Sequence, residues 1–276
     1  MPLPNDFQFS QANLQDYVDC PRRFYLRYVR RLAWPALEAE PAIENERHRQ
    51  QGEAFHRLVH QVLSGISPER LSRAITEDNL VRWWHNYLEK GPADLPELCH
   101  PEIVLSAPLN DHRLVAKYDL IAVDPGLRAI IVDWKTFRKQ PQREWLAARL
   151  QTKVYPYLLV QAGSQLNGGQ PLQPQQVDMV YWFANFPRDP ERFAYDEAQC
   201  EADGGYLASL IEEIKSLGEA DFLLTTQERR CRYCVYRSLC RRGVRASAFS
   251  EAEDEPGLAD EFDIPLDFEQ IAEIEY

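Results

Sequence analysis

The sequence predicts an α/β protein with one central mixed β-sheet flanked by helices and a small subdomain drawn from segments near residues 20 and 235. Three observations lead there. Helix-patterned segments alternate with strand-patterned ones along the chain, without an internal repeat. Two β-rich runs, 112–123 and 128–134, flank Asp124-Pro-Gly126, a turn signal that reads as a hairpin connection. Cys20 stands far upstream of Cys231, Cys234 and Cys240, and a shared site would fold the two segments onto each other.

In order along the chain, residues 11–33 read as a helix opening after Ser10 and interrupted or restarted at Cys20-Pro21. Residues 43–64 read as a polar helix with an apolar stripe of Phe55, Leu58, Val59, Val62 and Leu63, beside which lies His56. His60, one turn on, is assigned to the surface or a supporting role. A helix over 69–90 carries Trp83, Trp84 and Tyr87, and a loop follows at 91–96. Strands are expected at about 102–107, 112–123 and 128–134; Glu102 reads as an exposed strand-end residue or a supporting acid. Residues 143–162 form a helix with an expected kink at Pro156, and Gln151 and Tyr155 share one of its faces at i, i+4 spacing. A Gly/Gln/Pro loop at 163–176, a strand at 177–183, a helix at 197–217 and the cysteine segment complete the chain.

The chemistry concentrates in the hairpin. Asp119 precedes Asp133-Trp134-Lys135, and strand alternation projects Asp133 and Lys135 from one face. Two carboxylates and an ammonium within reach of each other suit Mg²⁺ or Mn²⁺ and metal-assisted phosphodiester hydrolysis. Alone, an apolar strand ending in Asp-x-Lys reads as a surface salt bridge; Asp119 shifts the balance toward a site.

Cys231, Cys234 and Cys240 form a C-x2-C-x5-C run whose natural fourth ligand is Cys20. The first residues lack the charged region and apolar core of a secretory leader, and no run of about 18 apolar residues exists to span a bilayer. A reducing cytoplasm is therefore the expected location, where metal ligation prevails over disulfides. Spacing leaves zinc and an iron–sulfur cluster both open. Cys99 and Cys200 read as ordinary thiols.

These features, in this order, resemble the iron–sulfur branch of the PD-(D/E)XK nucleases: RecB-like exonucleases, including the AddB nuclease domain and CRISPR-associated RecB-like exonucleases. The carriers are Cys20-Pro21 leading into an aromatic helix, Gly52-Glu-Ala-Phe-His56, Asp119, Asp133-x-Lys135, Gln151-Thr-Lys-Val-Tyr155 and the clustered cysteines, together spanning roughly residues 10 to 245. The chain departs in lacking a glycine shortly before Asp119, and in having Asp133 where glutamate is common. Neither removes a ligand.

The resemblance implies a restriction-endonuclease-like core and a metal-dependent, single-strand-preferring DNA exonuclease acting in repair, recombination or CRISPR spacer acquisition. It implies that His56, Asp119, Asp133 and the Trp134 carbonyl hold Mg²⁺ or Mn²⁺. Lys135 would position the attacking water, Gln151 would orient Lys135 or the scissile phosphate, and Tyr155 would contact substrate or brace its helix. It implies a mainly structural 4Fe–4S cluster on Cys20, Cys231, Cys234 and Cys240, and DNA, a helicase, recombination or CRISPR adaptation proteins as partners. The alternative is a non-catalytic or partner-dependent DNA-binding subunit of a repair complex. The filled catalytic positions favour the enzyme.

Composition allows this. Of the net charge of −12, residues 251–276 supply eleven Asp or Glu and no Lys or Arg, so the rest is near neutral. Arg22, Arg23 and Arg27, with Arg232 and Arg237, are expected to meet as a phosphate-binding surface if the cysteines share a site. Tyr25, Tyr28, Tyr233 and Tyr236 would either stack on bases or pack the cluster's coat. The acidic tail holds Phe262, Ile264, Leu266 and Phe268, and reads as a solvated tail, a docking segment or a DNA mimic. The expected organisation is an N-terminal helical segment (1–42), a nuclease core (43–220), a cysteine segment (221–248) and the tail (249–276).

Overall fold

The computed structural model describes residues 3, 4, 6–32 and 42–246, so the tail at 249–276 and its suggested roles lie outside the described residues. Strand β1 (Gln8–Ser10) leads into α1 (Gln11–Asp19). Ser10 caps α1: its hydroxyl accepts the Asn13 N–H while the Asn13 side chain accepts the Ser10 N–H. Cys20 is extended, and Pro21 starts the short α2 (Pro21–Phe24), which continues as a π-helical turn over Tyr25–Val29. The restart expected at Cys20-Pro21 is therefore present.

Next come α3 (Ala42–Leu63), α4 (Pro68–Ser72) and α5 (Asp78–Lys90). The strands β2 (Leu98–Pro101), β3 (Val104–Leu109), β4 (His112–Lys117), β5 (Leu120–Asp124) and β6 (Arg128–Lys135) follow. Then α6 (Arg143–Ala148), α7 (Leu150–Ala162), β7 (Val177–Phe183), β8 (Glu191–Ala194), α8 (Glu197–Ser216) and α9 (Glu228–Cys231) complete the described chain.

Two sheets result. One has the order β1-β4-β3 and the other β2-β5-β6-β7-β8. The β5–β6 hairpin forms as expected, antiparallel, with Leu120 opposite Val132. Parallel pairing of β6 with β7 makes the larger sheet mixed.

Three predicted elements prove to be two each. The strand over 112–123 breaks at Tyr118-Asp119: β4 belongs to the smaller sheet and β5 to the larger. Its partner run breaks opposite, between β2 and β3, where Glu102 is left-handed with φ 55°. Glu102 N–H donates to the Asp119 carbonyl, and Tyr118 N–H to the Ile103 carbonyl, so the bend is hydrogen-bonded across the pair. The helix over 69–90 parts into α4 and α5, and that over 143–162 parts at Arg149, which has extended backbone with ψ 142°. Helix α7 itself runs through Pro156 to Ala162.

Alternation on β6 sorts its side chains between two layers. Ile130, Val132 and Trp134 pack with Phe55, Val59, Leu80, Trp83 and Trp182 under α3 and α5. Ala129 and Ile131 face the larger core with Val154, Leu158, Leu207 and Ile211 from α7 and α8. Helices thus cover both faces of the mixed sheet. Asp133 and Lys135 share the parity of Ile131, which directs them toward α7. Phe9, Leu14, Phe24 and Phe222 join the same larger core. Among the described residues, no helix is long and apolar enough to cross a membrane.

Candidate active site

A cavity of ≈520 Å³ opens between α3, the Asp119 bend, the end of β6 and α7. His56, Asp119, Asp133, Trp134, Lys135, Gln151 and Tyr155 all line it. Each arrives by a distinct local cause. The bend between sheets frees Asp119 from strand pairing at the point where the two sheets part. Strand alternation delivers Asp133 and Lys135, and α7 delivers Gln151 and Tyr155. Close approach of α3 to β6 delivers His56. A Cβ on Gly52 would stand 3.1 Å from Thr136 Oγ1, so the absent side chain lets the helix sit this near.

The groups form two bonded sets, one around each carboxylate. His56 Nδ1 lies 3.1 Å from Asp119 Oδ1, and Asp119 Oδ2 accepts the Trp134 N–H at 2.8 Å. Gln151 Nε2 donates to Asp133 Oδ1 at 2.6 Å, and Lys135 Nζ stands 2.8 Å from Asp133 Oδ2. Asp133 is only 3% exposed, so its charge depends on these partners. Burial opposes the charged His56 imidazole, yet the Asp119 carboxylate beside it prevails and holds the ring up at about 9. Burial likewise opposes the Asp119 charge, but His56, the Trp134 N–H and Lys135 keep its carboxyl below the usual range.

Tyr155 is bonded to the backbone of the bent strand. Its hydroxyl donates to the Lys117 carbonyl at 2.9 Å, and the Tyr118 hydroxyl donates to the Tyr155 carbonyl at 2.9 Å. These two bonds tie α7 to the end of β4 and to Tyr118. Glu102 and Lys117 also line the cavity, paired with each other. The sequence offers Glu102 as an exposed strand-end residue or a supporting acid and gives Lys117 no role. The usable signal for Lys117 was its spacing two residues before Asp119.

The donor set suits a hard divalent cation: two carboxylates and an imidazole facing one cavity beside a backbone carbonyl. Among the described residues, no group of three or more His, Cys, Asp or Glu side chains stands close enough to hold a metal ion.

The same holds at the cysteines. All six thiols are free, and Cys231 is buried. Burial pushes the Cys234 thiol up to about 11, with Cys20 and Cys240 adding to the rise; Cys240 is raised by burial and then by Cys20 and Cys231. The two segments meet through Arg22 N–H to the Leu223 carbonyl, Arg230 to Asp19 at 2.9 Å, and the Tyr236 hydroxyl to the Leu32 carbonyl. The thiols are neighbours at that seam without converging on one point, a donor chemistry that suits zinc or an iron–sulfur cluster.

The expected arginine surface is divided. Arg23 and Arg27 hold Asp16 at 2.8 and 3.0 Å, and Arg23 is buried. Arg22 lies over the Tyr25 ring, Arg237 donates to the Cys234 carbonyl, and Arg232 is exposed. Tyr25, Tyr233 and Tyr236 are buried, which makes them packing residues of the seam.

Among solved structures, the chain is similar to SSO0001, with 16% identity, a TM-score of 0.44 and 85% of each chain covered. It is also similar to a provisionally assigned exonuclease from Eubacterium rectale, with 7% identity, a TM-score of 0.47, and 74% of this chain and 79% of that chain covered. No curated protein matches it. The model of the PD-(D/E)XK nuclease superfamily matches residues 8–241, a span that takes in the bent strand with Asp119, the Asp133-x-Lys135 strand and helix α7. The chain belongs to the PD-(D/E)XK nuclease superfamily.

Proposed function

We propose that this protein is a metal-dependent DNA exonuclease that prefers single strands. The observation that carries the reading is the convergence of Asp119, Asp133, Lys135, Gln151 and His56 on one cavity. Asp119, Asp133, His56 and the Trp134 carbonyl would hold Mg²⁺ or Mn²⁺. When bound, the cation supplies Lewis-acid polarisation of the phosphate and activation of water.

The protein's own groups supply position and charge. Lys135, tethered to Asp133, places an ammonium where negative charge grows on the phosphate, and its donors can orient the incoming water. Gln151 is a positioning residue: its amide fixes one Asp133 oxygen and so sets where the other points. Tyr155 ties α7 to the end of β4.

Cys20, Cys231, Cys234 and Cys240 would hold a 4Fe–4S cluster with a structural role. What supports this is the meeting of the two segments and the mutual effect of the thiols. Ligation requires thiolates, so binding would release protons from the cysteines.

The test uses anaerobically purified protein and single-stranded DNA labelled separately at each end, with Mg²⁺ or Mn²⁺. Wild type should shorten the strand only with metal, while Asp133→Ala and Lys135→Ala should not. No cleavage by folded protein that still binds the DNA would favour a partner-dependent binding subunit instead.

A further inference from the structure

The catalytic cavity does not end at Lys135 and Gln151. Those residues and Phe137 also line a narrower recess of ≈30 Å³, to which Arg149 and Trp145 contribute together with Arg23 and Arg27, the pair that holds Asp16. We propose that Arg149, seated on Trp145, binds a phosphate of the substrate strand beside the scissile one, so that the recess continues the substrate path. The proposal rests on the reading of the main cavity as a nuclease site.

Position is the first argument. Arg149 sits in the extended link between α6 and α7, two residues before Gln151, whose amide holds Asp133. A ligand at Arg149 is therefore next to the carboxylate site on the same backbone segment.

Pre-organisation is the second. The Arg149 guanidinium lies 5.0 Å from the centroid of the Trp145 ring, and that ring meets the Phe137 edge at 6.1 Å. Stacking occupies the flat face of a guanidinium and leaves its in-plane fork of donors suited to phosphate oxygens.

Charge is the third. Asp19 is shared among Arg230 at 2.9 Å, Arg23 at 3.1 Å and Arg149 at 3.7 Å. With Arg23 and Arg27 on Asp16, four guanidiniums (Arg23, Arg27, Arg149 and Arg230) meet two carboxylates here, an excess of positive charge that suits an anion.

Size is the fourth. A recess of ≈30 Å³ admits only one or two water-sized groups. Phosphate oxygens fit that description and a nucleobase does not.

Binding of a fluorescein-labelled oligothymidylate, measured in EDTA across a salt series, tests the proposal without cleavage. Arg149→Ala should weaken binding about tenfold and flatten the log–log salt slope by about 0.7, the value for one lost contact on a single strand. Arg149→Lys should keep most of the slope while binding more weakly than wild type. Trp145→Ala should weaken binding with the slope retained, and Trp145→Phe should restore most of it.

Arg149→Ala binding within about twofold of wild type overturns the proposal. So does a loss of affinity with the slope unchanged, which would assign Arg149 to supporting the fold through Asp19. Cleavage is scored on the same protein preparations with Mg²⁺ in place of EDTA. Arg149-dependent binding without any wild-type cleavage keeps the subsite and removes the nuclease reading. Wild-type cleavage with Arg149-independent binding removes the subsite alone.

Discussion

Asp119 and Trp134 are joined across the two sheets: the Asp119 carboxylate accepts the Trp134 backbone N–H at 2.8 Å. Asp119 stands where β4 gives way to β5, and Trp134 lies between Asp133 and Lys135 on β6. One bond thus fixes the first carboxylate against the strand that carries the second. An asparagine at 119 keeps an oxygen for this bond but sets an amide NH2 in place of the charged oxygen that faces His56. Asp119→Asn should therefore cost about 1–3 kcal/mol through His56 while metal-dependent cleavage disappears. Asp119→Leu should lower stability further, because it also strands a buried N–H at a cost of about 1–3 kcal/mol. Denaturant melts and cleavage assays on both variants decide it, and an active Asp119→Asn would sink the proposed ligand role.

Gln151 offers a test of positioning. Gln151→Leu is close in size and removes the donor to Asp133 Oδ1. Cleavage should fall about 10–100-fold, as is usual for a partner that orients a metal ligand, with the Mg²⁺ concentration for half-maximal rate rising alongside. A lower rate with that metal requirement unchanged would instead indicate direct contact with substrate.

Tyr155 should behave differently. Tyr155→Phe removes one hydroxyl donor to the Lys117 carbonyl. The expected cost is about 1 kcal/mol of stability, with cleavage changed less than about threefold. A large loss of rate at unchanged stability would return Tyr155 to a substrate-contacting role.

What was legible in the sequence follows a physical line. The β6 run and the Gln151–Tyr155 face are signalled by neighbours in sequence, through alternation and helical spacing, and the structure has both. The break at Asp119 was not legible, because β4 and β5 are both apolar runs and the bend is fixed by long-range bonds from Glu102 and Ile103. The break at Arg149 was hidden for a similar reason. No local side chain caps α7; its first N–H is accepted by Gln15, 135 residues away. β1 and β8, of three and four residues, exist through pairing with β4 and β7 rather than through their own pattern. The cavity position of Glu102 depends on the same bend and was equally hidden.

The cysteine seam predicts linked losses. Cys20→Ser and Cys234→Ser should each abolish the brown colour and broad visible absorbance of anaerobically purified protein. Each should also destabilise the fold by on the order of 2–4 kcal/mol, as for a cross-link closing a long loop. The double variant should lose little more than either single one, since one cluster is removed once. A colourless wild type containing zinc would replace the iron–sulfur assignment, and additive losses would mean that the two cysteines act separately.

Gly52 ties motif to geometry. A side chain there must displace Thr136 Oγ1, which a Cβ would approach to 3.1 Å. Thr136 follows Lys135 directly, so the strain would reach the site through one peptide unit. Gly52→Val should destabilise by about 1–3 kcal/mol through overpacking, and should reduce cleavage because His56 moves away from Asp119 with α3. Removing the obstacle should return part of both: Gly52→Val with Thr136→Ala should be more stable and more active than Gly52→Val alone. That sign in a double-mutant cycle would establish the steric coupling. A pair that simply adds would mean the glycine is there for another reason, and the approach of α3 to β6 would not be what sets His56 against Asp119.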